Sequence, residues 1–438
     1  MNNREKAEHI FLAGVKGVLP GKLIGDLFSI KGSILKIGYL SFDLDSTGNI
    51  YVLGAGKASA AMGHYVEKTP GMRITEGHII TKYDHYCKLD HIKVTEAGHP
   101  FPDQNSFRAT EEILHIADKA SDNDLVICLF SGGGSSLMAD YPDNTTPEEI
   151  IRLNKLLVNC GADITEINSV RKHLSKVKGG QLAKRFWPAS SVTLLISDVT
   201  GNKTDTIASG PTVPDNSTFS DALQVIDKYN LADEMSPGLL DPLHEGVRGE
   251  RPDTPKQDDP IFEKAVTLIA GDNKAALQTA KSEAENLGFN TFILTDELFG
   301  DPEGACSWFR EMIFKYKNDE TVQKPVCLLF GGELTVNVTG KGKGGRNQHL
   351  ALTAALRLGD IPGITFLSAG TDGNDGNTNM AGAVADSETV HDALSNDIDP
   401  EKYLREFDSF HFFKSAGGHV YTGPTMTNVM DMVVILIE

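Results

Sequence analysis

The chain is poor in cysteine, in positive charge and in long apolar runs, and each shortage closes off a class of protein. Its five cysteines, Cys87, Cys128, Cys160, Cys306 and Cys327, are odd in number and show no pairwise spacing of a zinc site. Cys128 and Cys327 lie inside apolar runs, so buried free thiols in a reducing compartment are expected. No apolar run approaches the ~18 residues that cross a membrane. The opening MNNREKAEHIFLAGV carries charges where a secretion signal needs an apolar core, so none is expected and the cytoplasm is the expected compartment. Lys and Arg number 41 against 60 Asp and Glu, a net charge of −19. Nucleic-acid binding depends on Lys and Arg against phosphates, so neither a nucleic acid nor a membrane is an expected partner. The same acidity makes any local basic cluster informative.

What is abundant is glycine, at 43 of 438 residues, gathered at the ends of apolar runs. That placement reads as tight loops, not disorder. The length fits two or three domains and needs no disulfide or structural metal for a core. Strand and helix signals alternate: IYVLGAG (Ile50–Gly56), HIITKY, DLVICLF (Asp124–Phe130) and VTLLISD (Val192–Asp198) as strands, KASAAMGHYVEK and PEEIIRLNKLLVNC as helices. This implies an α/β fold with a mainly parallel, doubly wound sheet. A seam rich in proline and charge runs from about Asp233 to Pro260. After it the pattern restarts with AVTLIAG, a helix capped by Asn273, the strands NTFILT, KPVCLLFGGE and TVNVTG, a helix from about Arg346 to Leu358, ITFLSAG and a closing MDMVVILIE. Two α/β domains are expected, 1–245 and a smaller one over 261–438.

Five glycine-rich loops stand out: GAGKASAAMG, LFSGGGSSLMAD, ISDVTGNKTDTIASGPT, TGKGKGGRNQ and SAGTDGNDGN. Most of them follow a strand and precede a helix, where open α/β sheets bind ligands. Backbone N–H groups and a helix N-terminus there favour an anion. The dipole supplies only about 0.3–1 kcal/mol. A triphosphate therefore also needs cations or Mg²⁺. Lys57 directly follows Gly54-Ala55-Gly56, and Lys341, Lys343 and Arg346 fall together in an acidic chain. Arg346 sits in a first helical turn, where structure alone favours acids, so it is expected to face an anion; a solvated basic loop is the bland alternative. GAGKAS is not a Walker A loop, because Tyr51 stands at the first glycine and Ala58 follows Lys57, and as a dinucleotide fingerprint it has Ser59 at the third glycine. SGGGSS lacks the GxSxG of a hydrolase elbow. Asp198, Asp205, Asp372 and Asp375 each read as a cap or turn residue alone, and as metal ligands or a general base if two lie near Lys57 and Arg346. His99, before Pro100, reads first as structural. For most of Arg171, His173, Ser175 and Lys178 a solvated face is the default.

In this order, GAGKA, TEAGHPFPDQNS, LFSGGGSSL, INSVRKHLSKVKGGQLA, ISDV…IASGPTVPD, GGELTV, GKGKGGRNQ, GTDG and the TGPT and TNV words resemble the type II glycerate kinases, the glycerate 2-kinase family with a C-terminal MOFRL domain. They run from Gly54 to Val429. The resemblance implies a Rossmann-like N-terminal domain, a smaller α/β C-terminal domain, and transfer of the γ-phosphoryl of ATP to the 2-hydroxyl of D-glycerate with Mg²⁺. It matches Lys57 and Arg346 to the residues taken as catalytic and makes the Ser131–Ser136 loop a holder of phosphate or substrate. The candidate binding set is Ser131, Gly132, Gly133, Gly134, Ser135, Gly54, Gly56, His99, Lys178, Lys343, Asn347 and Asp372. Asp198 is the candidate carboxylate for Mg²⁺ or for positioning the hydroxyl. Partners are ATP and D-glycerate or a similar acid; a homodimer is a candidate assembly that the sequence does not decide.

The chain departs from the family pattern. Asn202 stands where the family has an acid, GNTNMAGA (with Asn377 and Asn379) where it has GPTDAAGA, His349 where it has Glu, and Met426 where it has Gly. Three of these changes remove a carboxylate, so the reaction class is expected to survive with an acceptor that need not be D-glycerate. Two rival readings remain open here: an NAD(P)H-dependent hydroxypyruvate reductase, which Glu76 supports only weakly because it precedes the apolar run HII instead of ending it, and a catalytically silent metabolite-binding relative.

Overall fold

The computed structural model describes residues 1–438. In chain order the strands are β1 (Phe28–Lys31), β2 (Ile34–Ile37), β3 (Leu40–Asp43), β4 (Ile50–Ala55), β5 (Glu76–Lys82), β6 (Ile92–Ala97), β7 (Leu125–Ser131), β8 (Ser190–Ile196), β9 (Ala265–Gly271), β10 (Asn290–Leu298), β11 (Val326–Gly332), β12 (Ile364–Gly370), β13 (Gly382–Asp386), β14 (His419–Val420) and β15 (Asp431–Ile437). The chain divides into two compact units, one of residues 23–270 and one of residues 1–22 with 271–438. No helix is long and apolar enough to cross a membrane.

In the unit of residues 23–270 the main sheet runs β6-β5-β4-β7-β8-β9, and the pairings among β4 to β8 are parallel. β4 and β7 are buried along their whole length, as expected of strands covered on both faces. The chain leaves β4 to one side through β5 and β6, then returns to the other side through β7. That reversal between β4 and β7 is a topological switch point, where doubly wound sheets open a crevice at their carboxyl edge. Phe130, Val126, Leu182 and Phe186 fill the core on one face. A small antiparallel sheet, β1-β2-β3, precedes the main one.

AVTLIAG does not begin the second sheet. It forms β9 and pairs at the edge of the first, beyond β8, where the Ser191 N–H donates to the Lys264 carbonyl at 2.9 Å. The proline-rich seam hides a helix, Pro237–Val247, that starts on one proline and holds Pro242 inside it.

In the other unit the sheet runs β10-β11-β15-β12-β13-β14. β10 and β11 are parallel and the remaining pairs antiparallel. β15, the MDMVVILIE run, lies in the interior of the sheet and is buried throughout. The rings of Phe309, Phe330 and Phe366 anchor its core; Phe309 meets Phe330 edge to face and lies tilted to Phe366, with centroids 4.7 and 5.6 Å apart. Helix Asn3–Gly17 buries Ile10, Phe11 and Val15 and packs on helix Asn273–Asn286. That second helix is capped by Asp272, whose side chain accepts the Ala275 N–H at 2.9 Å. Asn273 is buried instead and donates to the Val429 and Asp431 carbonyls at 2.7 and 2.9 Å. TVNVTG forms no strand.

Candidate active site

In the first unit the switch point gathers two of the glycine loops. β4 runs out into Gly54-Ala55-Gly56-Lys57, and β7 beside it into Ser131–Ser136. Gly56 has φ 144°, and a Cβ there would lie 2.1 Å from the Ser131 hydroxyl oxygen. What comes so close to this backbone is therefore the chain itself. The buried Ser131 hydroxyl accepts the Ala58 N–H at 2.9 Å and lies 3.3 Å from the Ser59 hydroxyl. Helix Ser59–Glu67 has no side-chain cap from its own first residues, so Ser131 acts as its cap from the neighbouring strand. The Lys57 N–H donates to the Gly132 carbonyl at 3.0 Å, which ties the two loops together. Lys57 is half-buried at the mouth of this arrangement.

The rest of the edge assembles around these loops. Gly133, with φ 82°, leaves room for the His99 ring, 2.8 Å from where a Cβ would stand. Gly133 and Gly134 lead into a short helix, Gly134–Leu137, on which the Ser135 hydroxyl lies 2.7 Å from that of Ser209. Lys178 is buried and donates to the Met138 carbonyl at 2.8 Å, with Asp140 3.7 Å away. Burial holds its pKa below the usual lysine value. Asp198 follows β8 on the same edge, half-buried. Thus Gly54 and Ser131 lie at, and Gly56, Lys57, His99, the 132–135 loop and Asp198 follow, the carboxyl ends of β4, β6, β7 and β8.

In the second unit the centre is Arg346, first residue of helix Arg346–Leu358. Gly345 precedes it without a capping side chain, and a Cβ there would lie 2.3 Å from Asp375. Asp375 supplies the cap, accepting the N–H groups of Asn347 and Gln348 at 2.9 and 2.8 Å. Burial raises the Asp375 pKa to about 6, against the pull of those N–H bonds. Arg346 Nε and Nη2 grip Asp431 at 2.5 and 3.0 Å, and Nη1 meets Glu333 at 2.6 Å. Burial alone would lower the pKa of the guanidinium, but Asp431 and Glu333 outweigh it and hold the pKa above its ordinary value. Asp372 follows β12 and accepts the Asn374 N–H at 3.1 Å.

Two candidates are engaged within the fold itself. Asn347 is buried; its oxygen accepts the Ser368 hydroxyl at 2.6 Å and its N–H groups face Asp375. Lys343 places its ammonium 4.4 Å from the Phe410 ring centroid, while its N–H donates to Asp408 at 2.8 Å. Two of the departures from the family pattern are used in local packing. His349 stacks on Phe407 at 4.8 Å with the rings 4° from parallel, and Asn377 accepts the Gly344 N–H at 3.2 Å. Sequence reasoning missed Asp431 and Glu333 as partners of Arg346. The signal was there for both: Asp431 is the one charge opening an apolar strand, and Glu333 ends the GGE turn.

The raised pKa of Asp375 has a readable consequence. A carboxyl group whose folded pKa lies above its unfolded value costs more to ionise in the folded chain, so its contribution falls as pH rises from about 4 to about 6 and is level above that. In paired thermal melts, the melting-temperature advantage of wild type over Asp375→Asn is expected to shrink across that window. An advantage that grows with pH would contradict the burial account.

No group of three or more His, Cys, Asp or Glu side chains is arranged to hold a metal ion. Mg²⁺ is commonly held by one or two carboxylates together with substrate phosphates and water, so the half-buried Asp198 fits an ion that arrives with a nucleotide.

Residues 6–244 match a domain family of unknown function, DUF4147, and residues 326–431 match the MOFRL family. The D-glycerate 2-kinase of Thermotoga maritima is 41% identical over 393 residues, covering 89% of this chain and 90% of that one. The glycerate 2-kinase of Pyrococcus horikoshii is 36% identical over 439 residues, covering 100% and 98%. The crystal structure of glycerate kinase from Thermotoga maritima superposes with a TM-score of 0.87 at 36% identity over 99% of both chains. The words that carry the resemblance thus lie in a chain alike end to end, in sequence and in fold, and the chain belongs to the glycerate 2-kinase family with a MOFRL domain in its C-terminal half.

Proposed function

We propose that this protein transfers the γ-phosphoryl group of ATP to the 2-hydroxyl of D-glycerate, giving 2-phosphoglycerate and ADP. The observation that carries the reading is Lys57, standing between two interlocked glycine loops at the switch point of a parallel sheet. Phosphoryl transfer asks little covalent chemistry of a protein. It asks for positive charge aimed at the transferring group, and for alignment. Lys57 supplies the charge at the N-terminal end of helix Ser59–Glu67, whose dipole adds to it. In the other unit Arg346 is itself a cation suited to a phosphoryl oxygen, held in orientation by Asp431 and Glu333. Those contacts use three of the five N–H groups of the guanidinium, a geometry suited to planar oxygen pairs. Mg²⁺ bound with the nucleotide would neutralise phosphate charge, with Asp198 as its protein ligand.

The reductase reading loses its ribose ligand. A carboxylate that binds ribose belongs at the carboxyl end of the second strand. Glu76 opens β5 at the other end and pairs with Lys119 at 2.7 Å. The departures at His349 and Asn377 are taken up by packing, which supports D-glycerate as the acceptor.

Phosphorus NMR of the purified protein with Mg-ATP and D-glycerate tests the proposal. The expected result is a phosphomonoester signal matching 2-phosphoglycerate, growing in step with ADP. A folded protein that gives no such signal, or gives 3-phosphoglycerate, would overturn it.

A further inference from the structure

The SGGGSS loop borders a pocket that the phosphoryl-transfer groups do not explain. Ser135, Ser136, Arg171 and Lys178 line it on the polar side, and Pro102 and Leu153 on the apolar side. The whole pocket lies within the unit of residues 23–270. Arg171 sits at the end of helix Ile164–His173 and turns inward, so the solvated face expected from sequence is not what forms. Its Nε donates to Asn154 at 2.6 Å, a neutral partner. No carboxylate pairs with it, and burial alone pushes its pKa down to about 10. Lys178, its neighbour, is repelled by Arg171 and answered only by Asp140, 3.7 Å away. Asp140 is itself engaged by the Ser175 hydroxyl at 2.6 Å and by the Lys176 N–H.

A half-buried guanidinium and a buried ammonium therefore face one carboxylate that is already shared. A buried charge without a countercharge is costly, and a protein keeps one where a ligand completes the pair. The pocket lacks one negative charge. A monoanion supplies it, whereas a triphosphate would overfill it. The planar guanidinium favours a carboxylate, which it can meet with two parallel N–H bonds. The apolar wall suits a short carbon chain, and the two serines lie on the turn that leads back to Gly132–Gly134.

We infer that Arg171 is the seat of the acceptor's carboxylate, with Lys178 as the second cation, and that this pocket makes the enzyme select a small hydroxy acid over its neutral analogues. The inference rests on the proposed kinase reading and adds to it the group that recognises the acid. Anchored there, the acid presents its hydroxyl end to the glycine loop.

The test compares D-glycerate with its neutral amide, D-glyceramide, in wild type, Arg171→Lys and Arg171→Gln. Wild type is expected to prefer the acid by roughly 100-fold in kcat/KM, the size of a lost charge-assisted pair. Arg171→Gln is expected to bring that preference near unity, with KM for ATP unchanged; Arg171→Lys, which keeps charge but not the fork, falls between. A merely structural arginine would lower both substrates alike, and an unchanged preference in Arg171→Gln would overturn the inference. If wild type turns over neither substrate, the kinase reading fails on its own, and thermal shift with D-glycerate still reads the seat. A shift lost in Arg171→Gln, with the Mg-ATP shift kept, supports it; an equal shift in both, or none in wild type, counts against it.

Discussion

Replacing Lys57 with alanine is expected to lower kcat by about three orders of magnitude while leaving the melting temperature close to that of wild type. The size follows from charge. A cation roughly 4 Å from a developing negative charge, in surroundings of effective dielectric about 20, contributes about 4 kcal/mol, or near a thousandfold in rate. The helix dipole alone supplies about 1 kcal/mol, so it cannot make up the loss. The small stability effect follows from the local structure. What Lys57 gives the fold is its backbone, through the N–H to Gly132, and alanine keeps that bond. The cap of the following helix comes from Ser131, not from Lys57. Steady-state rates with D-glycerate and Mg-ATP, beside melting curves, check both halves. A rate within tenfold of wild type would remove Lys57 from the chemistry. A large drop in melting temperature would make it a structural residue instead.

The features of the sequence that could be read were those decided locally. IYVLGAG and DLVICLF are short, apolar and glycine-ended, and they became the two buried strands at the switch point. The helix over Arg346–Leu358 was legible from periodicity and from the glycines before it. The features that could not be read depended on partners far along the chain. AVTLIAG looks like the start of a domain because a proline-rich stretch precedes it, yet only its neighbour β8 decides which sheet it joins. TVNVTG alternates like a strand but forms none.

The site shows the same division. Lys57 stood out because its loop is short and glycine-rich. The glycines themselves were read as room for a ligand, and at Gly56 and Gly345 much of that room holds Ser131 and Asp375. Asn347 sits in the basic word GGRNQ, yet burial turns it to Ser368. Arg171 falls in a run of basic residues that reads as surface, and only the packing of Leu153 and Ser135 around it places it beside Lys178 in a pocket. Asp431 is 85 residues from Arg346, and no spacing rule connects them.

That last pair carries the second large effect. Arg346→Lys is expected to lower kcat by about 10³-fold, the low end of what a transition-state arginine contributes to phosphoryl transfer. A lysine keeps the charge but has one compact ammonium in place of a planar fork. It cannot hold Asp431 through two nitrogens, meet Glu333 through a third, and still direct an N–H at a phosphoryl oxygen. Asp431→Asn separates aim from charge. It preserves the shape of the partner and the arginine itself, but weakens the grip that orients it. Its kcat is expected to fall by roughly tenfold to a hundredfold, with KM for D-glycerate nearly unchanged. If Arg346 were only the anchor of β15 and its helix, both variants would melt at lower temperature, and the fraction remaining folded would turn over at the wild-type rate. Rates corrected for folded protein therefore distinguish the two roles, and an unchanged corrected rate in Arg346→Lys would assign this arginine to the fold alone.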